Sequence, residues 1–538
     1  DWTPTNFSVA AGVGNDSFID TPTNNFCTWN SGCGDSNVSS AGATALAEGG
    51  TYRSGGTKPG RGTMILKNNK YYFEVKINAS SGSDGIGVAG ISGPQYDRDN
   101  TKCAHWFANG EYKIEGASQT TGFASYTTND IIGIAIDTTQ SPAKIWFAKN
   151  NTWQNSGNPS TGANGMSLTV GEDYVFSHDH TSGANSSSGW ALFGGNGYQA
   201  YTPPTDFVSA CTANLPTPTI KKGSDYFNTV LYTGNNNSNQ TISGVGFQPD
   251  LVWVKNRDNV ERHHLIDAVR GNNKVLFSNE PDAERTGSHG AGHTQLNLAS
   301  DGFNLVSNGS NDELNFGTRT YVAWNWKESA TAGFDIVGFN PSSGTNTYNH
   351  SLGVKPDAIF IKSRGSSANW DVYHSKLTAE NKLYLNASDA QIDSGFMGDT
   401  EPTSSVFSYN PGSQNGNNHI AYLFSNVEGY SKVGKYTGNG DANGSFIYTG
   451  FKPVWIIYKK VAAENWHMLD IKRDAYNPNS AGLDPNLYNA EANDANLQMD
   501  FLSNGFKLRS SHGTANASGE PYIYMAFAET PFKYANAR

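Results

Sequence analysis

The sequence predicts an all-β protein in which one β-sandwich is followed by three related, β-sandwich-like repeats in tandem. Aromatic residues make up 12% of the 538 residues and charged residues only 16%, which is unlike a disordered chain. Gly, Asn, Ser, Thr and Tyr are abundant, whereas Ala, Leu, Glu and Lys dominate helical proteins. Short apolar runs bounded by turn residues, and a pattern that occurs three times, complete the prediction.

The N-terminal region, residues 1–207, contains the first predicted sandwich. Its apolar or alternating runs are bounded by clusters of Gly, Asn, Ser and Pro, which is typical of strands. The clearest of these runs are Tyr71–Ile77, Ile86–Ile91, Ile131–Ile136 and Lys144–Phe147. A segment with two prolines and small polar residues follows and predicts a linker over residues 208–224.

The remainder of the chain contains an internal repeat, which divides it into residues 225–329, 330–430 and 431–538. A Gly-x-x-Pro turn is followed by an apolar run, with a large apolar residue four positions after the proline and a lysine six positions after it. A later Ala-aromatic pair keeps the same order in each copy. The repeated glycines and lysines are Gly246 and Lys255, Gly353 and Lys362, and Gly450 and Lys459.

Each copy has about 100 residues, which is large enough for a core of its own. We therefore expect three beads in series and not the thin units of a solenoid. The near-continuous apolar run after each proline predicts a strand that is buried on both faces. We expect the lysine that ends the run to return its charge to solvent while its stem covers apolar surface.

Part of the N-terminal region resembles a SPRY domain. The resemblance is carried by Lys-Tyr-Tyr-Phe-Glu-Val-Lys-Ile at 70–77, Gly-Ile-Gly-Val-Ala-Gly-Ile at 85–91, and Asp-Ile-Ile-Gly-Ile-Ala-Ile-Asp at 130–137. It extends over roughly residues 20–205. It implies a concanavalin-like β-sandwich used for protein binding, with recognition on loops at one rim.

The whole chain also resembles virion proteins of tailed bacteriophages, especially marine ones. The marks are Trp-Thr-Pro-Thr-Asn-Phe-Ser at 2–8, Cys-Thr-Ala-Asn-Leu-Pro at 211–216 and the ending from Tyr522 to Arg538. In such proteins the opening segment tends to follow a laminin-G-like sandwich, so we expect an N-terminal part before Asp1. The resemblance implies a fibre-like component of a phage particle, and its repeated domain has no known function.

Aromatic and imidazole groups about 13–15 residues past each repeated proline are the first candidates for a binding surface. Stacking on a sugar ring needs an exposed π face with hydrogen-bonding groups beside it, and an asparagine precedes both tryptophans. The alternative is that these rings begin the second strand of each copy and are buried by packing. The candidates are His263, His264, Asn369, Trp370, Asn465, Trp466 and His467.

The predicted loop between Tyr96 and Tyr112 is the other candidate, through His105, Trp106 and Phe107. Rings set among Gly, Asn and Ser form adaptable surfaces of the kind that antibody loops use. The alternative is a rim loop that packs down on its own sandwich.

Metal binding and catalysis find weaker support in the sequence. His178 and His180 form a His-x-His pair, which in a trimer could meet its symmetry mates and bind a transition-metal ion. The alternative is a polar loop. No nucleophile elbow is present, and paired carboxylates for glycoside cleavage cannot be recognised from sequence spacing. We expect no catalytic residues and no cofactor.

We therefore expect a non-enzymatic virion protein on the surface of the phage particle, most simply a fibre or adhesin that binds a host-surface glycan or protein. The alternatives are a purely architectural role, as capsid decoration or fibre shaft, and a tailspike that cleaves polysaccharide. Expected partners are further copies of the chain, as a homotrimer, and other virion proteins. A net charge of −11 and the lack of long apolar runs argue against nucleic-acid binding and membrane insertion. Exposed rings at Trp106, Trp370 and Trp466 favour adhesion, and buried rings favour architecture.

Overall fold

The chain divides into two compact units. Unit 1 consists of Asp1–Thr217 together with Lys533–Arg538, and unit 2 is Pro218–Phe532. Unit 1 thus ends within the predicted linker, and the chain returns to it at the C-terminus. The computed structural model describes residues 24–30, 45–47, 51–54, 60–80, 84–91, 102–115, 117–119, 122–180, 188–194, 199–235, 239–286, 295–306 and 313–535.

Unit 1 is built from two antiparallel sheets. Its strands are β1 (Trp29–Asn30), β2 (Ala45–Ala47), β3 (Tyr52–Ser54), β4 (Gly60–Gly62), β5 (Lys70–Ala79), β6 (Asp84–Gly90), β7 (Cys103–Phe107), β8 (Tyr112–Ile114), β9 (Ala117–Gln119), β10 (Ile131–Asp137), β11 (Lys144–Lys149), β12 (Thr152–Trp153), β13 (Met166–Ser167), β14 (Tyr174–His180) and β15 (Ser188–Leu192). One sheet has the order β1-β4-β14-β6-β7-β8-β9. The other has the order β12-β11-β10-β5-β15-β3-β2, with β13 paired to β11. The four predicted strand runs correspond to β5, β6, β10 and β11.

The two sheets of unit 1 pack face to face through aromatic rings. Phe73 on β5 and Phe176 on β14 have ring centroids 3.8 Å apart, and both stack on Phe193. Trp29 meets Phe193 edge-on at 5.1 Å. This contact between opposing sheets makes unit 1 a β-sandwich.

The regular secondary structure of unit 2 is almost entirely antiparallel strand, in three consecutive segments that we number 1 (225–329), 2 (330–430) and 3 (431–532). Segment 1 contains β16 (Phe227–Thr233), β17 (Asn239–Ile242), β18 (Leu251–Asn256), β19 (His263–Asp267), β20 (Lys274–Phe277), β21 (Arg285–Thr286), β22 (Gln295–Ala299), β23 (Gly302–Val306) and β24 (Thr320–Trp326). Segment 2 contains β25 (Phe334–Phe339), β26 (Asn346–Asn349), β27 (Ala358–Ser363), β28 (Asp371–His374), β29 (Asn381–Tyr384), β30 (Ile392–Asp393), β31 (Val406–Tyr409) and β32 (His419–Phe424). Segment 3 contains β33 (Ser431–Thr437), β34 (Phe446–Tyr448), β35 (Phe451–Lys460), β36 (Trp466–Asp470), β37 (Ala481–Gly482), β38 (Ala492–Asn493), β39 (Met499–Leu502), β40 (Gly505–Leu508), the short helix α1 (Gly513–Asn516) and β41 (Pro521–Pro531).

The first four strands of the main sheet have the same order in all three segments. The main sheets run β16-β24-β18-β19-β20-β21, then β25-β32-β27-β28-β29-β30, and then β33-β41-β35-β36. In each, the first and last strands of the segment pair, and the last strand also pairs with the strand at the repeated proline. The all-β fold class predicted from the sequence is confirmed.

The repeated Gly-x-x-Pro pattern has a backbone reason. Gly246, Gly353 and Gly450 have φ angles of 89°, 71° and 87°, a left-handed conformation that favours glycine over residues with a side chain. The strands that follow in segments 1 and 2, β18 and β27, are buried at every position. In segment 3 the predicted run Val454–Tyr458 of β35 is also buried throughout, so the prediction of strands buried on both faces is confirmed for all three.

The expectation of three beads with separate cores is wrong. One hydrophobic cluster joins buried side chains from all three segments, among them Trp326, Phe424 and Trp455. Trp455 lies 5.5 Å from Trp326 and 5.9 Å from Phe527, measured between ring centroids. Segments 1 and 2 each have a second cluster, between the main sheet and a small sheet of the same segment. The three segments therefore form one unit around a shared core.

Truncating a side chain in the shared core should destabilise unit 2 as a whole. We expect Trp455→Ala to lower the free energy of unfolding by about 3–5 kcal/mol, because a fully buried indole is lost from a core that three segments share. Denaturant unfolding followed by circular dichroism and by fluorescence should show one transition for unit 2, shifted as a whole. Val354→Ala, at a position 49% exposed, is the control and should change the free energy by less than about 0.5 kcal/mol. A shift confined to one third of the unit-2 signal would contradict the shared core.

Candidate functional site

The candidate residues of unit 1 do not form a surface loop. His105, Trp106 and Phe107 belong to β7, and all three side chains are buried. The Nε2 atom of His105 lies 2.6 Å from the Ser177 hydroxyl, and the Trp106 ring meets Tyr126 edge-on. The expectation that these three side chains bind a partner is wrong, because they pack inside the sandwich.

The two candidate tryptophans of unit 2 join one segment to the next. Trp370 is 0% exposed, and its indole N–H donates to the carbonyl oxygen of Phe277 in segment 1 at 2.9 Å. Trp466 is 2% exposed, and its indole N–H donates to the carbonyl oxygen of Tyr384 in segment 2 at 2.8 Å. Neither ring offers a free face to a sugar, so the expectation of a stacking surface here is wrong.

The candidate histidines are also buried. His263 stands at the position that corresponds to the two tryptophans, and its Nδ1 accepts the indole N–H of Trp253 at 3.2 Å. Burial lowers the pKa of His263 well below 6.5, so the ring is neutral. His264 Nε2 lies 3.1 Å from Glu313, and His467 Nδ1 lies 2.7 Å from Asp484. The expected binding role of these histidines is corrected to packing and pairing within unit 2.

The two candidate asparagines are hydrogen-bonded to an asparagine of a neighbouring turn. Asn386 donates to Asn369 at 2.9 Å, and its own side-chain oxygen accepts the backbone N–H of Trp370. Asn486 makes the same two bonds with Asn465 and Trp466. Asn369 is exposed and Asn465 is half-buried, so the structure keeps these two amides near the surface while it buries the rings beside them.

Backbone hydrogen bonds close the three segments into a ring. Glu284 of segment 1 donates to the carbonyl of Arg364 in segment 2 at 2.9 Å, and Gln391 of segment 2 donates to Val461 in segment 3 at 2.9 Å. Glu491 of segment 3 then donates to the carbonyl of Arg257 in segment 1 at 2.8 Å. Each segment thus binds the next at a corresponding position, and the third binds the first. We call these contact regions junctions 1–2, 2–3 and 3–1.

Junctions 1–2 and 3–1 each contain a cluster of buried and partly buried charged groups. At junction 1–2, Arg364 forms a two-pronged ion pair with Glu284, at 2.7 and 3.0 Å, and fully buried Arg270 pairs with Asp267. The hydroxyl of Tyr422 in segment 2 donates to the same Asp267 at 2.7 Å. The two arginines balance the charge of the two carboxylates, and the Arg364–Glu284 pair is the one that crosses the junction.

The cluster at junction 3–1 has the same plan. Arg257 forms a two-pronged pair with Glu491 at 2.8 and 2.7 Å, and Arg473 pairs with both Asp470 and Glu491. The indole N–H of Trp324 in segment 1 donates to Asp470 at 3.1 Å, where junction 1–2 uses a tyrosine hydroxyl.

Junction 2–3 replaces the charge cluster with neutral groups. Leu377 stands where the other junctions have a buried arginine, and Gln391 and Val461 take the places of the cross-junction Glu–Arg pair. His374 takes the place of the aspartate and lies 3.4 Å from the carbonyl oxygen of Tyr524. Burial lowers the pKa of His374 to about 3, so this ring is uncharged.

The three repeated lysines do not return to solvent, which corrects the sequence-based expectation. Lys255, Lys362 and Lys459 are each 0% exposed. The ammonium groups donate to main-chain carbonyl oxygens, and two of them cross a junction: Lys362 to Pro281 at 3.0 Å and Lys459 to Ser388 at 3.4 Å. Burial lowers the pKa of each from 10.5 to about 8.

The predicted metal pair lies within unit 1. His178 is on β14 and 0% exposed, with its ring 6.2 Å from that of Trp29, while the side chain of His180 is outside the described residues. A metal held between chains needs surface imidazoles, so the expectation for His178 is wrong. Among the residues that the structure describes, no group of three or more His, Cys, Asp or Glu side chains could hold a metal ion. No helix within the described ranges is long and apolar enough to cross a membrane.

The junction residues were not identified from the sequence, although a signal was present. An arginine comes eight positions after the repeated proline in copies 1 and 2, and a glutamate follows the proline at 35 and 38 positions in copies 1 and 3. Arg257, Arg364, Glu284 and Glu491 could have been found by aligning the copies beyond the apolar run. These residues recur at corresponding positions because they form the contacts that bind the segments to one another.

This architecture defines an all-β protein whose second unit is three segments closed into a ring. Residues 222–531, more than half of the chain, match a family described as a domain of unknown function, DUF7483, and the chain belongs to this family. A search of curated proteins finds no match.

Two solved structures to which the chain is similar are SPRY domains. The SPRY domain of human HERC1 has 16% identity and a TM-score of 0.23, over 28% of this chain and 91% of that one. The PSpry domain of TRIM65 has 9% identity and a TM-score of 0.24, over 31% of this chain and 90% of that one. The likeness concerns the fold alone.

Breaking a junction ion pair should cost more than breaking an exposed one. We expect Arg364→Met to lower the free energy of unfolding by about 2–4 kcal/mol, because it leaves the partly buried Glu284 without its main partner. Lys355→Met is the matched control. It removes the exposed Lys355–Glu401 pair and should cost at most about 1 kcal/mol. Equal losses of unfolding free energy in the two variants, measured by chemical denaturation, would show that the junction pair stabilises the protein no more than the exposed pair does.

The buried lysines should make unit 2 more stable as the pH rises from about 8 to about 9, below the range in which unfolded tyrosines ionise. In this range the unfolded lysine, with its pKa of 10.5, keeps its proton, whereas the folded lysine has released it. Each lysine should therefore add up to about 1.4 kcal/mol of stability per pH unit. Lys362→Met should reduce this slope by one lysine's share in denaturant titrations at several pH values. An unchanged slope would contradict the assignment.

Proposed function

We propose that this chain is a non-enzymatic, architectural component of a bacteriophage particle. The observation that supports an architectural role is the burial of Trp106, Trp370 and Trp466, since buried rings were the outcome that favours architecture over adhesion. The phage assignment rests on the sequence resemblance.

The internal contacts of unit 2 support the same proposal. Several of its aromatic N–H groups, arginines and lysines form bonds from one segment to the next, as at Trp466 and Arg257. Such a unit resists deformation, because separating one segment breaks two junctions and opens the shared core. This is a useful property in a particle that must stay intact outside the cell.

Comparing phage particles with and without the protein tests the proposal. Particles made by a phage in which the gene for this chain carries a stop codon should lack the protein by mass spectrometry. They should release their DNA at a lower temperature than wild-type particles. Their rate of adsorption to the host should be unchanged. Slower adsorption with unchanged heat resistance would overturn the architectural role in favour of attachment, and absence of the protein from wild-type particles would overturn both.

Attachment to a host surface is the second candidate, on the evidence of one exposed ring. Tyr476, in the turn between β36 and β37, is 84% exposed and is the most exposed large hydrophobic side chain among the described residues. If the chain attaches through this turn, Tyr476→Ala should abolish retention on a glycan array or on host cells. Leu231→Ala, at a position 40% exposed on another segment, is the control. No retention of the wild-type protein would remove this candidate.

A further inference from the structure

Two distant parts of the chain pair within unit 1, close to the point where the chain leaves this unit. We call residues 24–28 the entry segment and residues 210–215 the exit segment. The backbone N–H of Thr212 donates to the carbonyl oxygen of Asn25 at 2.9 Å, and the Thr212 hydroxyl accepts the N–H of Asn25 at 2.9 Å. Both side chains are buried, so this pairing belongs to the packed part of unit 1.

The residues with which the chain returns to unit 1 contact both of these segments. The ammonium group of Lys533 donates to the carbonyl oxygens of Ala213 at 2.8 Å and Leu215 at 2.5 Å, both in the exit segment. The carbonyl oxygen of Ala535 accepts the side-chain N–H of Asn25, in the entry segment, at 3.4 Å. Ala535 is only 3% exposed. Three consecutive residues thus bind the exit segment at one end and the entry segment at the other.

The two bonds from Lys533 fall at the end of a short 3-10 helix, Thr212–Asn214. The last carbonyl groups of a helix have no partner within it, and a positively charged side chain is a favourable donor to them. Asn69, in the loop before β5, donates to the carbonyl oxygen of Asn214 at 2.8 Å. Lys533 therefore serves the carbonyl groups on either side of the one that Asn69 serves. Without its ammonium group, two of three successive carbonyl groups would lose a charged donor.

We propose that residues 533–535 are a strap that locks the exit segment onto the entry segment. Two short paired segments are marginally stable by themselves, so a third part of the chain that binds both stabilises their pairing. Asn25 and Ala535 lie 510 positions apart in the sequence. Because the whole of unit 2 lies between the exit segment and the strap, the lock closes only when the chain that follows unit 2 is in place. The strap thus makes the pairing in unit 1 depend on residues that follow unit 2.

Hydrogen exchange followed by mass spectrometry measures how often the lock opens. In a chain that ends at Phe532, the peptides that contain Asn25 and Thr212 should exchange about tenfold faster than in the full chain, because bonds to a charged donor are lost. Lys533→Met should accelerate the same peptides by a smaller factor. Lys533→Arg, whose guanidinium also donates to carbonyl groups, should stay close to the wild type. Unchanged exchange of both peptides in the shortened chain would overturn the proposal.

Lys507→Met is the matched control. It removes another bond from a lysine to a carbonyl group, from Lys507 to Gly444 at 2.7 Å in unit 2, and should leave the exchange of the two peptides unchanged. Strand β10, which lies between β11 and β5 in its sheet, reports on the stability of unit 1 as a whole and should keep its wild-type exchange in every variant. Equal acceleration in β10 would overturn the strap, since it would show a general loss of stability. Acceleration of the two peptides in Lys507→Met to the level of Lys533→Met would also overturn it.

Discussion

Closure of the three segments is the constraint on which the structure of unit 2 depends. The charged and aromatic side chains at the edge of each segment form their hydrogen bonds and ion pairs with the next segment. Those of the last segment form them with the first. Arg257 and Glu491, which lie 234 positions apart, therefore depend on every segment between them. Cooperativity follows, because a polar group left without its partner in a buried junction is costly.

The three junctions share their backbone contacts but differ in their side chains. Two hold clusters of arginines and carboxylates, and the third lacks such a cluster, with Leu377 and Val461 in place of two arginines. Each version satisfies the same backbone donors, so the sheet geometry does not depend on the charges. Directional ion pairs are harder to satisfy with a wrong partner than apolar contacts are.

Local signals in the sequence predicted much of the fold. The glycine of each Gly-x-x-Pro turn, as at Gly353, and the apolar runs after the prolines follow from backbone conformation and periodicity. These local signals do not predict which distant groups each side chain contacts. Trp370 and Lys362 both bind carbonyl groups more than 80 positions away, and an exposed tryptophan gives the same sequence pattern as a buried one. Whether a ring at a strand start faces solvent or a neighbour depends on closure, which no single copy reveals.

The two ends of unit 2 come together as closely as neighbouring strands. A Cβ atom on Gly223, near the start of the unit, would lie 2.0 Å from the carbonyl oxygen of Ala528 on the last strand. The geometry of the ring therefore does not determine between which two segments the chain of unit 2 begins and ends. A circular permutation that began at segment 2 and ended with segment 1 would therefore keep every junction.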